Sequence, residues 1–168
     1  MGLFCVVLVL CSWISVPFGV PFTLQLLGVF LSIGFLGGKK ASLCVLAYLL
    51  LGCIGLPVFA GFQGGVGVFA GPTGGYLLGL LPCCLVGGAF YQKATSWLLK
   101  GLSFLVALLV VYGLGAAWYC LGYAPHTMSL WEGLGLCVLP FVLPDLLKIG
   151  VSLLLLQRMG RRLREPMV

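Results

Sequence analysis

From Ala41 to Gln92 the chain contains no Lys, Arg, Asp or Glu, and residues 1–38 contain none either. Sequence of that kind cannot coat a soluble core, since roughly a quarter of the residues in soluble domains are charged. Here 7% of residues are charged and 62% are hydrophobic, and mean hydropathy is +1.24. A lipid bilayer can absorb so much apolar chain, provided that backbone N–H and C=O groups are satisfied inside the segments, as they are in helices. At ~20 residues per span, 168 residues allow about six crossings and leave no room for a separate soluble domain.

Six apolar segments can be laid out: 2–16, 23–37, 41–55, 72–91, 101–121 and a last one ending near Gln157. Residues 3–16 have the length of a signal-peptide core. No basic residue precedes them and no Ala-x-Ala site follows, so they read as a retained first helix. Pro140 and Pro144 suggest that the last helix starts at Pro144, because proline suits a first helical turn. From there to Met159 it would be ~24 Å long, short of a ~30 Å hydrocarbon core. It would then begin below the outer surface, with 130–142 as an outer cap.

The net charge of +6 marks topology rather than a nucleic-acid partner. Lys39, Lys40, Lys93, Lys100, Arg158, Arg161, Arg162 and Arg164 stand at the ends of apolar runs, and only Lys148 stands within one. With an even number of spans these basic places fall on one side, as the positive-inside rule expects, where they can also contact anionic lipid. The expected architecture is a single all-α domain over 1–168 with six transmembrane helices. Both termini are cytoplasmic, a basic tail covers about 158–168, and a glycine-rich outer loop joins helices three and four.

That loop runs into Gly71-Pro-Thr-Gly-Gly-Tyr76 at the start of the fourth helix. Bare backbone in so apolar a protein needs a partner, and the free N–H groups of a helix start can hold an anionic or polar group. Thr73, Gly74, Gly75 and Tyr76 are therefore candidate ligand contacts, with Gln25 and Gln63 as further polar groups at similar depth. The glycine row Gly71, Gly75 and Gly79 equally fits close helix packing. Phe59, Phe62, Phe69 and Trp131 could form an apolar wall. If Gly74 brings its N–H to a ligand, Gly74→Val should cost binding more than folding.

Asp145 and Lys148 form the sole opposite-charge pair inside an apolar segment, on one helix face at i, i+3. Lys148 lies ~15 Å from Arg158 along the helix, near the bilayer midplane, where a charge costs on the order of 3 kcal/mol. A pair that only sets helix register would be neutral to function; an anchor for a polar substrate justifies that cost better. His126 and Glu132 read as outer-loop residues. The eight cysteines have no metal-ligand spacing and read as small packing residues, with Cys83-Cys84 as the basis of an alternative thiol chemistry. There is no catalytic triad, carboxylate pair or phosphate-binding loop, so the chain alone does not hydrolyse ATP and reads as a non-enzyme.

Pro21-Phe-Thr-Leu-Gln25, Tyr48, Gly52-Cys-Ile-Gly-Leu-Pro-Val-Phe-Ala-Gly-Phe62, Gly71-Pro-Thr-Gly-Gly-Tyr-Leu-Leu-Gly79 and Leu139-Pro-Phe-Val-Leu-Pro-Asp-Leu-Leu-Lys148 occur in that order. Together, across about 17–155, they resemble the BioY family of biotin-binding S components of energy-coupling-factor transporters. The resemblance implies capture and uptake of biotin across the bacterial cytoplasmic membrane, with no cofactor. It implies a membrane coupling subunit and two ATPase subunits as partners. Asp145 and Lys148 match the family's binding pair. The first helix lacks the Ala-x-x-x-Ala pattern typical of S components, and the outer part of the fourth has no arginine. A transporter for another vitamin or small solute is the alternative, with a thiol-based membrane enzyme using Cys83 and Cys84 behind it.

Overall fold

The computed structural model describes residues 1–16, 22–123, 135 and 138–162. Most of the cap expected over 130–142 lies outside the described residues, as do His126, Trp131 and Glu132. Among the described residues the fold is all-α apart from one short ribbon. Helix α1 (Gly2–Trp13) leads into β1 (Ser15–Val16), which pairs antiparallel with β2 (Phe22–Thr23). Then come α2 (Gln25–Leu36), α3 (Gly38–Cys53), a 3-10 turn (Ala60–Phe62) and α4 (Gly67–Ala70). Helices α5 (Gly74–Lys93), α6 (Trp97–Trp118, continued by a π turn over Tyr119–Tyr123) and α7 (Leu139–Arg162) complete the bundle.

Among the described residues, three stretches are long and apolar enough to cross a membrane: Gly74–Lys93, Trp97–Gly122 and Pro140–Gly160. Helices α1 and α2 are shorter apolar helices of 12 residues each. Helix α3 has 16 residues and takes Lys39 and Lys40 into its first turn.

Local chemistry sets the helix ends. Helices α2 and α3 are joined by Gly37 alone, at φ +78°, a left-handed conformation that only glycine adopts freely. The Ser96 side chain caps α6 by accepting from the Leu99 N–H at 3.2 Å. Helix α7 departs from expectation: it starts at Leu139, and Pro144 sits inside it. Pro140 occupies the first turn, where a missing N–H costs nothing, and Pro144 removes only one later backbone bond.

The packing centre lies between α2, α5 and α6. Phe30 stacks on Phe104 at 4.8 Å between centroids, and Tyr91 stacks on the same ring at 5.0 Å. Elsewhere small residues bring helices together. Gly38 on α3 and Gly88 on α5 face each other so closely that a Cβ on either would strike the other's backbone. Gly87 faces Ala107 on α6, and Gly34 on α2 is covered by Leu156 on α7. Close backbone approach of this kind is how helices gain contact where lipid offers no hydrophobic drive.

Candidate functional site

At the other end of the bundle the helices do not close. A cavity of about 710 Å³ opens between β2, the start of α2, the segment 59–73, the start of α5, the middle of α6 and α7. Its volume lies within the range of small-molecule sites. Most of its wall is apolar, from Phe22, Leu26, Phe59, Val68, Leu77, Leu80, Val111 and Phe141. The polar groups converge from several elements: Gln25, Gln63, Thr73, Tyr76, Tyr112, Asp145 and Lys148.

The Asp145–Lys148 pair is the electrostatic centre. Both are almost fully buried in the cavity wall, at 3% and 5% exposure. Lys148 Nζ donates to Asp145 Oδ1 at 2.5 Å and to the Thr23 carbonyl at 2.6 Å, and it stands 4.0 Å from the centroid of the Phe22 ring. The ammonium thus has a carboxylate, a carbonyl dipole and an aromatic face as its partners. The second carboxylate oxygen, Asp145 Oδ2, accepts from Tyr112 Oη at 2.5 Å. One turn further on, Ser152 Oγ donates to the Lys148 carbonyl at 2.6 Å.

A second polar chain lies behind the wall. Gln25 Nε2 donates to Tyr48 Oη at 3.1 Å, and Tyr48 Oη shares a hydrogen bond of 2.9 Å with Ser12 Oγ. Gln25, Tyr48 and Ser12 are all buried. Aromatic rings support the same region, with Tyr48 edge-on to Phe59 at 5.4 Å and Phe59 edge-on to Phe69 at 5.5 Å. Phe62 is not part of this wall: it is exposed and packs on Trp13 at 4.9 Å.

The cavity brings together six of the eight residues singled out from sequence: Gln25, Gln63, Thr73, Tyr76, Asp145 and Lys148. Gly74 and Gly75 are not among the residues that line it. Both are buried: a Cβ on Gly74 would strike the Phe69 carbonyl, and one on Gly75 would strike Trp118 and the Leu114 carbonyl. The Gly74 N–H is spent on the Gly71 carbonyl at 3.2 Å. These glycines seat α5 against α4 and α6. The expectation that Gly74→Val spares folding is therefore replaced by a structural role. Cys83 and Cys84 lie in the helix core at 0% exposure and away from the cavity wall, which removes the basis for a thiol site there.

The BioY family model matches residues 1–165. The chain belongs to the BioY family. Among BioY proteins, "Biotin transporter BioY" of Thermotoga maritima is 41% identical over 161 residues, covering 95% of this chain and 93% of its own. "Biotin transporter BioY" of Rhodobacter capsulatus is 37% identical over 165 residues, covering 90% and 86%. The crystal structure of the S-component for biotin from an ECF-type ABC transporter matches with a TM-score of 0.85 at 27% identity, over 95% of this chain and 87% of that one. These BioY relatives are transporters, not enzymes.

Two residues of this candidate site escaped the reading of the sequence. Tyr112 lies in the apolar run Ala107-Leu-Leu-Val-Val-Tyr112, where a single hydroxyl among aliphatics was the available signal. Phe22 was visible only as part of a motif; its place under the ammonium depends on how β2 crosses α7.

Proposed function

We propose that this chain captures biotin and carries it across the bacterial cytoplasmic membrane as the substrate-specific component of an ECF-type transporter. The observation that carries the proposal is a buried Asp145–Lys148 pair on the wall of a 710 Å³ cavity, in a chain of the BioY family. Biotin presents a ureido carbonyl flanked by two N–H groups, an apolar ring and a carboxylate tail. Asp145 accepts from a ureido N–H and Lys148 donates to the ureido carbonyl, with the apolar wall around the ring. Each carboxylate oxygen keeps a lone pair beyond its present partner, so the ligand adds to the pair rather than breaking it. Burial makes these charge-assisted bonds strong.

The tail carboxylate then meets polar side chains across the cavity. Thr73, Gln63 and Tyr76 line that wall, whereas the first N–H of α5 is already bonded within its own turn. In this reading six helices cross the membrane with both termini cytoplasmic, supported by the basic residues at alternate helix junctions. Uptake is completed by a membrane coupling subunit and two ATPase subunits, in line with a sequence that has no phosphate-binding Gly-x-x-x-x-Gly-Lys motif.

Isothermal titration of the detergent-purified protein with biotin, thiamine and riboflavin tests the proposal. Saturable one-to-one heat with biotin alone is expected. Binding of thiamine or riboflavin with biotin silent overturns it.

A further inference from the structure

The wall of the cavity is uneven in charge and in exposure. The part at Asp145 and Lys148 is charged and buried, whereas Gly61, Gln63 and Gly64, which also line it, are neutral and exposed. Lys148 is the one cation among the lining residues. Every other Lys or Arg of the chain stands far along a helix. Lys93 is ~26 Å along α5 from Tyr76, and Lys100 is ~18 Å along α6 from Tyr112. Lys39 and Lys40 open α3, ~20 Å from its end at Cys53, and Arg158 follows Lys148 by ~15 Å with the other arginines beyond it.

Lys148 is poorly placed to neutralise a second anion. Its ammonium has three N–H groups. One goes to Asp145 Oδ1 at 2.5 Å and another to the Thr23 carbonyl at 2.6 Å. An anion at the third would lie close to the Asp145 carboxylate, and like charges sharing a site oppose each other. A neutral carbonyl meets no such repulsion. The Tyr112 hydroxyl is spent as well, since it already donates to Asp145 Oδ2. The ion pair therefore suits a neutral ureido edge, and a tail carboxyl is left to neutral side chains such as Gln63 and Thr73. There an ionised tail makes charge-assisted hydrogen bonds but gives up its water with no Lys or Arg to balance it. An amide makes weaker bonds and has less hydration to lose, so the difference between the two is small. The start of α5 adds only the modest pull of a helix N-terminus.

Resting on the biotin reading above, we propose that the site selects the ureido head and takes biotin whose tail carboxyl is amidated as well as the free acid. The ligand class is biotin carboxamides, including biotin joined through its carboxyl to the side-chain amine of lysine. Space supports the larger member. The cavity of about 710 Å³ lies in the upper half of the ~300–1,000 Å³ range of small-molecule sites. Its exposed lining includes two glycines, and a Cβ on Gly61 would meet nothing within 4 Å, so an extended tail has a way past them.

The test is calorimetric titration of the full-length protein in neutral detergent at about pH 8, where a carboxyl is ionised and a histidine neutral. Four ligands are compared: biotin, its primary carboxamide, its lysine side-chain amide, and the diamine that keeps the tail acid but lacks the ureido carbonyl. Both amides should bind within about tenfold of biotin, or about 1.4 kcal/mol. The diamine should lose about a hundredfold or more, the scale for removing a partner from a buried charged group. Lys148→Met should weaken biotin and the carboxamide by the same factor, because it acts on the head they share. A carboxamide more than about tenfold weaker than biotin overturns the proposal, as does a Lys148→Met loss confined to the free acid, which would put the ammonium on the tail. If Lys148→Met does not fold, the ligand series on the parent decides alone. Binding of the carboxamide without the lysine conjugate overturns the extension past Gly61. Silence of biotin itself removes the biotin reading and this proposal together, whereas tight biotin with silent amides removes this proposal only.

Discussion

At the α3–α5 crossing, Gly38 and Gly88 remove side chains so that two helix backbones meet and no space remains. At the cavity end the absence of a long helix between Cys53 and Gly74 keeps the elements apart, and the gap is walled by residues from eight elements. Both regions are rich in glycine and poor in charge, yet one is sealed and the other hollow. The difference lies in where glycine stands. Inside a continuous helix it shortens the distance to a neighbour; in a non-helical segment, as at Gly65 with φ +96°, it lets the chain turn away. Polar groups follow the same division. Asp145, Lys148 and Gln25 gather where the backbone turns aside, and the sealed crossing contains thiols and glycines instead.

The sharpest challenge to this contrast is Asp145→Asn. It should weaken biotin binding by about 3 kcal/mol, since it strands Lys148 without its carboxylate. Titration calorimetry reads the loss, and the double variant with Lys148→Met separates ligand contact from the stranded charge. Near-parental affinity in Asp145→Asn would detach the pair from the cavity's function. Gly88→Val probes the sealed region and should lower stability by about 2–3 kcal/mol through backbone overlap with Gly38. Biotin affinity of the folded fraction should be unchanged, and an intact melting temperature would mean that the two helices can separate freely.

Gly74→Val tests which region Gly74 belongs to. Its Cβ would meet the Phe69 carbonyl, so a stability loss of roughly 2 kcal/mol is expected, seen as a lower melting temperature without ligand. An unchanged melting temperature with lost biotin protection would return Gly74 to the binding wall. The smallest effect is expected from Tyr112→Phe, which removes one hydrogen bond to a buried carboxylate and should cost about 1.5 kcal/mol of affinity. No change there would leave Tyr112 as wall only.

Much of this could be read from residue order. The apolar segments correspond to α1, α2, α3, α5, α6 and α7, because segment length and flanking basic residues are properties of the chain itself. Asp145 and Lys148 stood out for the same reason: a charge in an apolar run has few explanations. What failed depended on neighbours far away in sequence. The start of α7 was misplaced because proline marks a preference for a first turn, and the cost of one lost bond inside a helix is small beside the packing of that helix. Gly74 and Gly75 stood as candidate ligand contacts with packing equally open, because glycine for turning and glycine for close packing look alike until Phe69 and Trp118 are in place. Tyr112 was missed because its partner, Asp145, is 33 residues away.

The ion pair in the cavity wall has an electrical consequence. Asp145 and Lys148 together carry no net charge, so the ionic part of the cavity wall is a dipole and not a monopole. A change in its depth or orientation within the bilayer does little work against the membrane potential. Moving one elementary charge through 100 mV involves about 2.3 kcal/mol, and that work falls only on charge brought in by the cargo. For a cargo with a free carboxylate, entry into a negative interior is uphill by that amount. The voltage dependence of uptake should therefore report the ionisation of the passenger, not of the carrier.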